Sequence, residues 1–181
     1  FTSSVLKDGN VLITGGITTD RILKSTELYN VSTGNWSITG DLITGRFYHT
    51  ATVLENGKVL ITGGVYNDDG ESLSSAELYD PSTNIWSSTG NMTIPRDAHT
   101  ASLLPNGKVL VVGGFSDDTP TNTVELYDPS TETWEMMDNL NTTRIYHTAS
   151  VLANGSVLIV GGHDDNNYLI TVVELYSSLL N

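Results

Sequence analysis

Short apolar runs return along the chain at an almost constant interval. Each run holds four mostly apolar or β-branched residues, as in 59–62, and two glycines follow it directly. The glycine pairs stand at 15–16, 63–64, 113–114 and 161–162, so the spacings are 48, 50 and 48 residues. No stretch shows the spacing of three to four residues that marks an amphipathic helix. A repeat of this length predicts an array built from one supersecondary unit.

One repeat, residues 46–95, predicts four short antiparallel strands. The first two strands flank Asn56-Gly57, a dipeptide that predicts a type I′ hairpin turn with positive φ at both central residues. The second strand, 59–62, is apolar enough to be buried on both faces. A polar loop leads to a third strand at 76–79, and Trp86 opens the fourth. Four antiparallel strands in each repeat are typical of a β-propeller blade.

The residues that recur with this period identify a family. They are the glycine pairs, Tyr29, Tyr79, Tyr127 and Tyr176 in the third strands, and Trp36, Trp86 and Trp134 after them. Together they resemble the kelch repeat over essentially all 181 residues. The resemblance implies an all-β, kelch-type β-propeller of four four-stranded antiparallel blades, in which tyrosine and tryptophan pack blade on blade.

The same repeats set the expected blade boundaries. Blade 1 covers about 1–45, blade 2 about 46–95, blade 3 about 96–143 and blade 4 about 144–181. Blade 4 is expected to lack its outer strand, because no fourth tryptophan follows Tyr176. Kelch-like propellers close with about six or seven blades, so we expect a segment of a larger ring. The alternatives are two copies that meet edge to edge, or four blades that close imperfectly. An isolated segment is expected to self-associate through its open edges.

Charge and composition narrow the class of partner. Eight Lys and Arg residues against 21 Asp and Glu residues give a net charge of −13, which disfavours nucleic acid and anionic membranes. No apolar run is long enough to span a bilayer. The absence of cysteine removes disulfides and thiolate chemistry and leaves the compartment open, extracellular or cytoplasmic. Asn-x-Ser/Thr sequons, which are glycosylated in a eukaryotic secretory setting, occur at Asn30, Asn35, Asn91, Asn141 and Asn154.

Polar residues that return in every repeat are expected to serve the fold. The recurring sets are His49, His99 and His147; Arg46, Arg96 and Arg144; and Glu27, Glu77, Glu125 and Glu174. Equivalent histidines one blade apart are too far from each other to hold one metal ion. We therefore expect buried imidazoles that form hydrogen bonds between blades, and charge-assisted hydrogen bonds in which each glutamate is held by an Arg or His of its own or a neighbouring blade. We expect no cofactor, no metal and no catalytic pair among these residues.

Residues that differ between repeats lie mainly in the loops between the second and third strands. Antiparallel order places these loops and the connections between blades on one face of the propeller. Three successive loops carry seven carboxylates and no Lys or Arg: Asp68, Asp69, Glu71, Asp117, Asp118, Asp164 and Asp165. This acidic rim suits a basic peptide or a hard cation such as calcium. A structural explanation is that these acids initiate turns and keep loops soluble.

The predicted ligand-binding residues combine this rim with nearby aromatic rings. They are Asp68, Asp69, Asp117, Asp118, Asp164 and Asp165, with Tyr66, Phe115 and Tyr168 as anchors for a partner side chain or a sugar. The function favoured by the sequence is a non-catalytic scaffold that presents variable loops to a protein or glycan.

The alternative is the propeller part of a galactose-oxidase-like or sugar-isomerising kelch enzyme, with catalytic residues outside this segment. The copper-radical cofactor of the oxidases requires a Cys joined to a Tyr, and this chain has no Cys.

Overall fold

The computed structural model describes residues 1–177, which form strands, turns and loops without a helix in that range. The first sheet contains β1 (Thr2–Val5), β2 (Val11–Thr14), β3 (Thr26–Asn30) and β4 (Asn35–Ile38). The second contains β5 (Thr50–Val53), β6 (Val59–Thr62), β7 (Ala76–Asp80) and β8 (Ile85–Ser88). All strand pairs in these two sheets are antiparallel and follow chain order.

The third sheet repeats this order and adds a small hairpin. Its four strands are β9 (Thr100–Leu103), β10 (Val109–Val112), β13 (Val124–Asp128) and β14 (Thr133–Met136). The small hairpin consists of β11 (Phe115–Ser116) and β12 (Thr119–Pro120) and lies between β10 and β13 along the chain. The fourth sheet contains β15 (Thr148–Val151), β16 (Val157–Val160) and β17 (Glu174–Tyr176). The prediction that blade 4 lacks an outer strand concerns the residues after Tyr176, of which 178–181 lie outside the described range.

The hydrophobic core lies between consecutive sheets. One cluster joins Leu12 and Leu42 to Val59 and Tyr79, and two further clusters join the second sheet to the third and the third to the fourth. The inner strands β1, β5, β9 and β15 contact one another in that order. Sheets stacked side by side around their first strands are the blades of a propeller. The predicted all-β propeller fold is therefore confirmed.

The hairpin turn at Asn56-Gly57 differs from the predicted type I′ turn. The N–H of Gly57 donates to the carbonyl of Leu54 at 2.9 Å, and the N–H of Leu54 donates to the carbonyl of Lys58 at 2.8 Å. Only Gly57, with φ of 86°, has positive φ in this turn. The pairing leaves a three-residue loop, which takes a type I turn followed by one left-handed residue. The sequence prediction assumed a two-residue loop and was wrong for that reason.

The repeated glycine pair is required by the close approach of the next blade. At Gly63, with φ of 61°, a Cβ atom would lie 2.2 Å from the carbonyl oxygen of Arg96. The N–H of Gly64 donates to that same carbonyl at 2.9 Å. Only glycine combines positive φ with such a contact. In the first three sheets the pair therefore fixes the blade to the arginine that follows it, through the N–H groups of Gly16, Gly64 and Gly114.

Candidate functional site

Three segments between sheets carry the repeated arginines. We call them the connection segments: 39–46, 89–96 and 137–144. Each arginine is buried and pairs with a glutamate of a third strand. The Nη2–Oε1 distances are 2.6 Å for Arg46–Glu77, 2.8 Å for Arg96–Glu125 and 2.9 Å for Arg144–Glu174. The predicted pairing of the repeated charges is confirmed.

The location of these pairs decides between the two predicted alternatives. Arg46 precedes the first strand of the sheet that contains Glu77, so the pair lies within one repeat and not between two. The same carboxylate accepts the backbone N–H groups of Ile43 and Thr44 at 2.7 and 3.0 Å. Arg46 also donates to the carbonyl of Gly63 at 2.8 Å. The pair thus closes the incoming connection segment onto its own sheet, where every charge has partners.

The repeated histidines connect neighbouring blades, as predicted. Nε2 of His99 lies 3.0 Å from Oγ1 of Thr50 and 3.1 Å from Oγ1 of Thr62, both in the preceding sheet. His49 and His147 make the corresponding contacts to Thr2 and Thr100, each at 2.9 Å. Burial is the main cause that lowers the histidine pKa values, to about 3 for His49 and about 4 for His147. These imidazoles are neutral structural groups at pH 7.

The tyrosine and tryptophan of each interior sheet hold the connection segment at its other end. The hydroxyl of Tyr79 lies 2.7 Å from Oγ1 of Thr39, and Nε1 of Trp86 donates to the carbonyl of Gly40 at 2.9 Å. Tyr127 and Trp134 make the same contacts in the third sheet, at 2.6 and 2.7 Å. The expected packing of blade on blade through these aromatic residues is confirmed.

A groove opens between the variable loops of the second and third sheets. We call it the acidic groove; Tyr66, Asp69, Glu71, Asp117 and Asp118 line it, and its volume is about 560 Å³. Pro95 of a connection segment lines it as well. No Lys or Arg occurs among its lining residues. The structure thus places Asp69 of one loop close to Asp117 and Asp118 of the next. The sequence alone did not show that these residues share a groove.

Some of these acidic residues also stabilise the turns in which they lie. Asp117 and Asp118 have φ of 47° and 63° and are the two residues between the paired Ser116 and Thr119. This is the type I′ turn, for which Asp, Asn and Gly are the preferred residues. In the fourth sheet, Oδ1 of Asp164 accepts the N–H groups of Asn166 and Tyr168, each at 2.9 Å. The structural explanation therefore accounts for the backbone at these positions, although both carboxylates of the type I′ turn still line the groove.

Asp97 lies beside the groove and was missed by the sequence analysis. It is 5% exposed, and its Oδ2 accepts the hydroxyl of Ser72 at 2.8 Å. Burial is the main cause that raises the pKa of Asp97 to about 6; the hydrogen bond from Ser72 opposes the rise, and the nearby Asp118 and Asp117 contribute to it. The other repeats place Phe47 and Ile145 at this position. A comparison of the repeats therefore shows a carboxylate where the others have an apolar residue, and this difference could have identified Asp97.

The predicted aromatic anchors lie in three different places. Tyr66 lines the groove and donates its hydroxyl to the carboxylate of Glu71, which is the main cause that raises the tyrosine pKa. Phe115 packs edge to face against Tyr146, with ring centroids 6.0 Å apart. Tyr168 is 70% exposed. Asp68 and Asp165 are exposed on the same loops, outside the groove lining.

Exposed aromatic rings gather near the beginnings of the inner strands β5 and β15. We call this the aromatic mouth; its depression of about 500 Å³ is lined by Phe1, Phe47, Tyr48 and Tyr146, among others. The rings of Tyr48 and Tyr146 lie edge to face with centroids 6.4 Å apart. The sequence analysis assigned no role to these tyrosines, which directly precede the repeated His49 and His147.

The backbone at this mouth repeats an unusual conformation. Tyr48, Ala98 and Tyr146 have φ of 55°, 49° and 54°. The N–H of Ala98 donates to the carbonyl of Tyr48 at 3.0 Å, and the N–H of Tyr146 donates to that of Ala98 at 3.4 Å. Left-handed backbone is rare for tyrosine. Here the left-handed conformation recurs in three units, so it is a feature of the repeat. It orients the rings of Tyr48 and Tyr146 at the aromatic mouth.

Two further observations concern the described residues only. Within 1–177, no three His, Cys, Asp or Glu side chains stand close enough together to hold a metal ion. The same range includes no helix of the length and hydropathy needed to cross a bilayer.

The family model described as the KLHDC2/KLHL20/DRC7 Kelch-repeats domain matches residues 1–178. A comparison with curated proteins found no significant match.

Proposed function

This chain belongs to the kelch-repeat family, whose domains serve as protein-interaction scaffolds, and we propose that it uses the acidic groove to bind a basic segment of a partner protein. It acts without catalysis, as a rigid support for variable loops. The repeated parts of each blade hold the two loops of the groove at a fixed distance, and the groove supplies the charge.

The observation that supports this proposal is unbalanced charge on two adjacent loops. Four carboxylates line the groove, those of Asp69, Glu71, Asp117 and Asp118, and no cation lines it. Asp97 adds a fifth carboxyl group beside them through Ser72. A lysine or arginine side chain placed there would form charge-assisted hydrogen bonds with several oxygens. The net charge of −13 would also speed the approach of a basic partner.

The aromatic mouth extends this surface towards the propeller axis. Phe115 connects the two, since its backbone pairs with Asp97 beside the groove and its ring contacts Tyr146 at the mouth. A cation is attracted to the face of an aromatic ring, and exposed tyrosines are frequent anchors in interfaces. A basic segment that also carries an aromatic or long apolar residue fits both parts. Asp68, Asp164, Asp165 and Tyr168 would contribute at the margin of the same face, chiefly by attraction at a distance.

The proposal predicts that groove charges matter for binding and not for stability. We expect Asp69→Asn, Asp117→Asn and Asp118→Asn together to weaken binding of a ten-residue peptide of alternating lysine and glycine at least tenfold. The melting temperature should stay the same, because Asn also suits a type I′ turn. Surface plasmon resonance at increasing salt measures the effect, and the on-rate for the parent should fall as salt screens the charges.

A matched control separates a specific groove from general acidity. Glu55→Gln, Glu132→Gln and Glu135→Gln remove three carboxylates that do not line the groove, with the same change in net charge. Binding of the peptide should stay within about twofold of the parent in this control. Equal weakening by the two triple variants would show nonspecific attraction only, and unchanged binding by the groove variant would reject the groove as the site.

A further inference from the structure

The rings of Tyr48 and Tyr146 form a corner at the aromatic mouth that is open to solvent. Tyr48 is 56% exposed and Tyr146 is 57% exposed, and their ring planes meet at 73°. Ala98 lies between them in the row of backbone hydrogen bonds, and its methyl group takes up less room than a third ring would. Because the centroids are 6.4 Å apart, one cation can lie within about 6 Å of both, the range over which an aromatic face attracts positive charge.

Two half-buried phenylalanine rings hold this corner in place. The ring of Phe47 packs against Tyr48 with centroids 4.9 Å apart, and the ring of Phe115 packs against Tyr146 at 6.0 Å. The left-handed backbone at both tyrosines fixes the direction of each side chain. All four rings belong to the second, third and fourth repeats. The site is therefore ordered before a ligand arrives, which lowers the entropy cost of binding.

The surroundings of the corner favour positive charge. No Lys or Arg lines the aromatic mouth. Asp97 lies near it, because its backbone exchanges two hydrogen bonds with that of Phe115, at 2.9 and 3.0 Å. Burial is the main cause that raises the pKa of Tyr146, and the neighbouring Tyr48 and Asp97 contribute to the rise. A bound cation would thus have two aromatic faces beside it and a carboxylate close behind them.

Apart from the tyrosine hydroxyls, the mouth offers few free acceptors to an N–H group. The carbonyls of Tyr48 and Ala98 already accept backbone N–H groups, and Nε2 of His49, His99 and His147 contacts threonine hydroxyls. A lysine ammonium has three donors that need acceptors and is strongly hydrated. A quaternary ammonium has no donor, keeps its positive charge and presents methyl groups to the rings. The mouth therefore suits a methylated cation better than an unmodified one.

We propose that the aromatic mouth binds a trimethylated lysine side chain, with its quaternary ammonium in the corner between Tyr48 and Tyr146. This assignment rests on the proposed function, because the lysine belongs to the basic segment whose unmodified cations lie in the acidic groove. Phe115 connects the two places, through its backbone beside Asp97 and its ring against Tyr146. The groove supplies most of the attraction, and the mouth distinguishes a methylated lysine from an unmodified one.

Three peptides that differ at one position test this preference. Each has ten residues of alternating lysine and glycine, and the central lysine is unmodified, trimethylated, or replaced by a neutral analogue with carbon in place of the quaternary nitrogen. By isothermal titration calorimetry, the trimethylated peptide should bind at least about fivefold more tightly than the unmodified one. The neutral analogue should show no such gain, because it has the methyl groups without the charge. Tyr48→Leu and Tyr146→Leu should each reduce the gain to less than twofold.

Matched variants show whether the gain belongs to the corner. Tyr146→Phe keeps the ring and should keep the gain, and so should Tyr168→Leu, which removes an exposed tyrosine outside the mouth lining. The triple groove variant should weaken binding of both lysine peptides and leave their ratio unchanged. A lower affinity therefore reports on the groove, and a lower ratio reports on the mouth.

Tetramethylammonium tests the mouth without the groove. Its methyl proton resonance should move upfield in the presence of the parent chain and not with Tyr146→Leu, even if neither lysine peptide binds. Equal affinity for the unmodified and trimethylated peptides, a gain that survives both leucine variants, or an equal gain from the neutral analogue would overturn the proposal. So would co-sedimentation with phosphatidylcholine vesicles that Tyr146→Leu abolishes, since the quaternary ammonium would then be that of a lipid head group.

Discussion

The connection segments and the loops of the acidic groove both connect strands, but their charged residues differ in environment. The repeated arginines of the connection segments are buried and paired, and the carboxylates of the groove are exposed. Arg96 and Glu125 are 0% exposed and pair with each other. Asp69 and Asp118 are exposed, and no cation lines their groove. The recurring charges are part of the interior wherever a connection segment covers them, whereas the carboxylates of the groove, which differ between units, lie on the surface. Repetition within one chain therefore separates the charges that serve the fold from those available to a partner.

The largest expected effect comes from breaking a repeated pair. Glu125→Gln should lower the free energy of unfolding by about 3–5 kcal/mol, because it leaves the buried Arg96 without its counter-charge. Glu27→Gln removes the equivalent but exposed carboxylate and should change the free energy by less than about 0.5 kcal/mol. Urea denaturation of both variants measures the difference. Similar values for the two would mean that the buried pair does not stabilise the sheet.

Because the repeated histidines are buried and neutral, we expect the protein to become less stable in acid. The unfolded chain binds a proton on each histidine near pH 6.5, whereas burial holds the pKa of His49 at about 3 and of His147 at about 4. The unfolded state thus binds more protons as the pH falls below 6.5, and the folded state loses about 2 kcal/mol for each such histidine between pH 7 and pH 5. Urea midpoints at the two pH values test this. His147→Gln should show a smaller fall than the parent, and an equal fall would exclude His147 as a source.

Asp97 should respond to pH in the opposite direction. Burial raises its pKa to about 6, so the folded state holds a proton that the unfolded state releases above about pH 4, and stability from this group is lost as the pH rises through 6. Asp97→Asn keeps an acceptor for Ser72 and should raise the free energy of unfolding by about 1 kcal/mol at pH 7, after allowance for solvent screening. The gain should vanish at pH 4, as measured by thermal unfolding. If Asp97→Asn instead lowered the free energy of unfolding at pH 7, the folded protein would favour the charged form of Asp97.

The sequence predicted the strands well because each one repeats with its flanking glycines and aromatic residues. It also predicted that Glu125 would pair with a basic residue and that His99 would bind the neighbouring blade. It did not decide whether the arginine lies in the same repeat or in a neighbouring one, because spacing shows which residues recur but not how a connection folds back. The type I′ turn was predicted at Asn56-Gly57 and is found at Asp117 and Asp118, since loop length decides the turn type and strand ends are hard to place.

The acidic groove was only partly predictable. The excess of carboxylates in the variable loops was visible in the sequence, but the approach of Asp69 to Asp117 and Asp118 depends on the distance between two blades. Asp97 was overlooked because it stands between the repeated Arg96 and His99, both of which were assigned to the fold. Comparison of the units shows Phe47 and Ile145 at its position. The binding role of these residues remains a prediction that the groove variants address.

The turn at Asp117 and Asp118 has a consequence for how this surface can evolve. Its left-handed backbone restricts both positions largely to Asp, Asn and Gly, which differ in charge but share one conformation. A single nucleotide substitution interchanges the codons of Asp and Asn. Lineages could therefore step the charge of the groove from two carboxylates at this turn to one or none without disturbing the loop. A new partner could be selected on charge alone, while the blades that carry the loop need no compensating change.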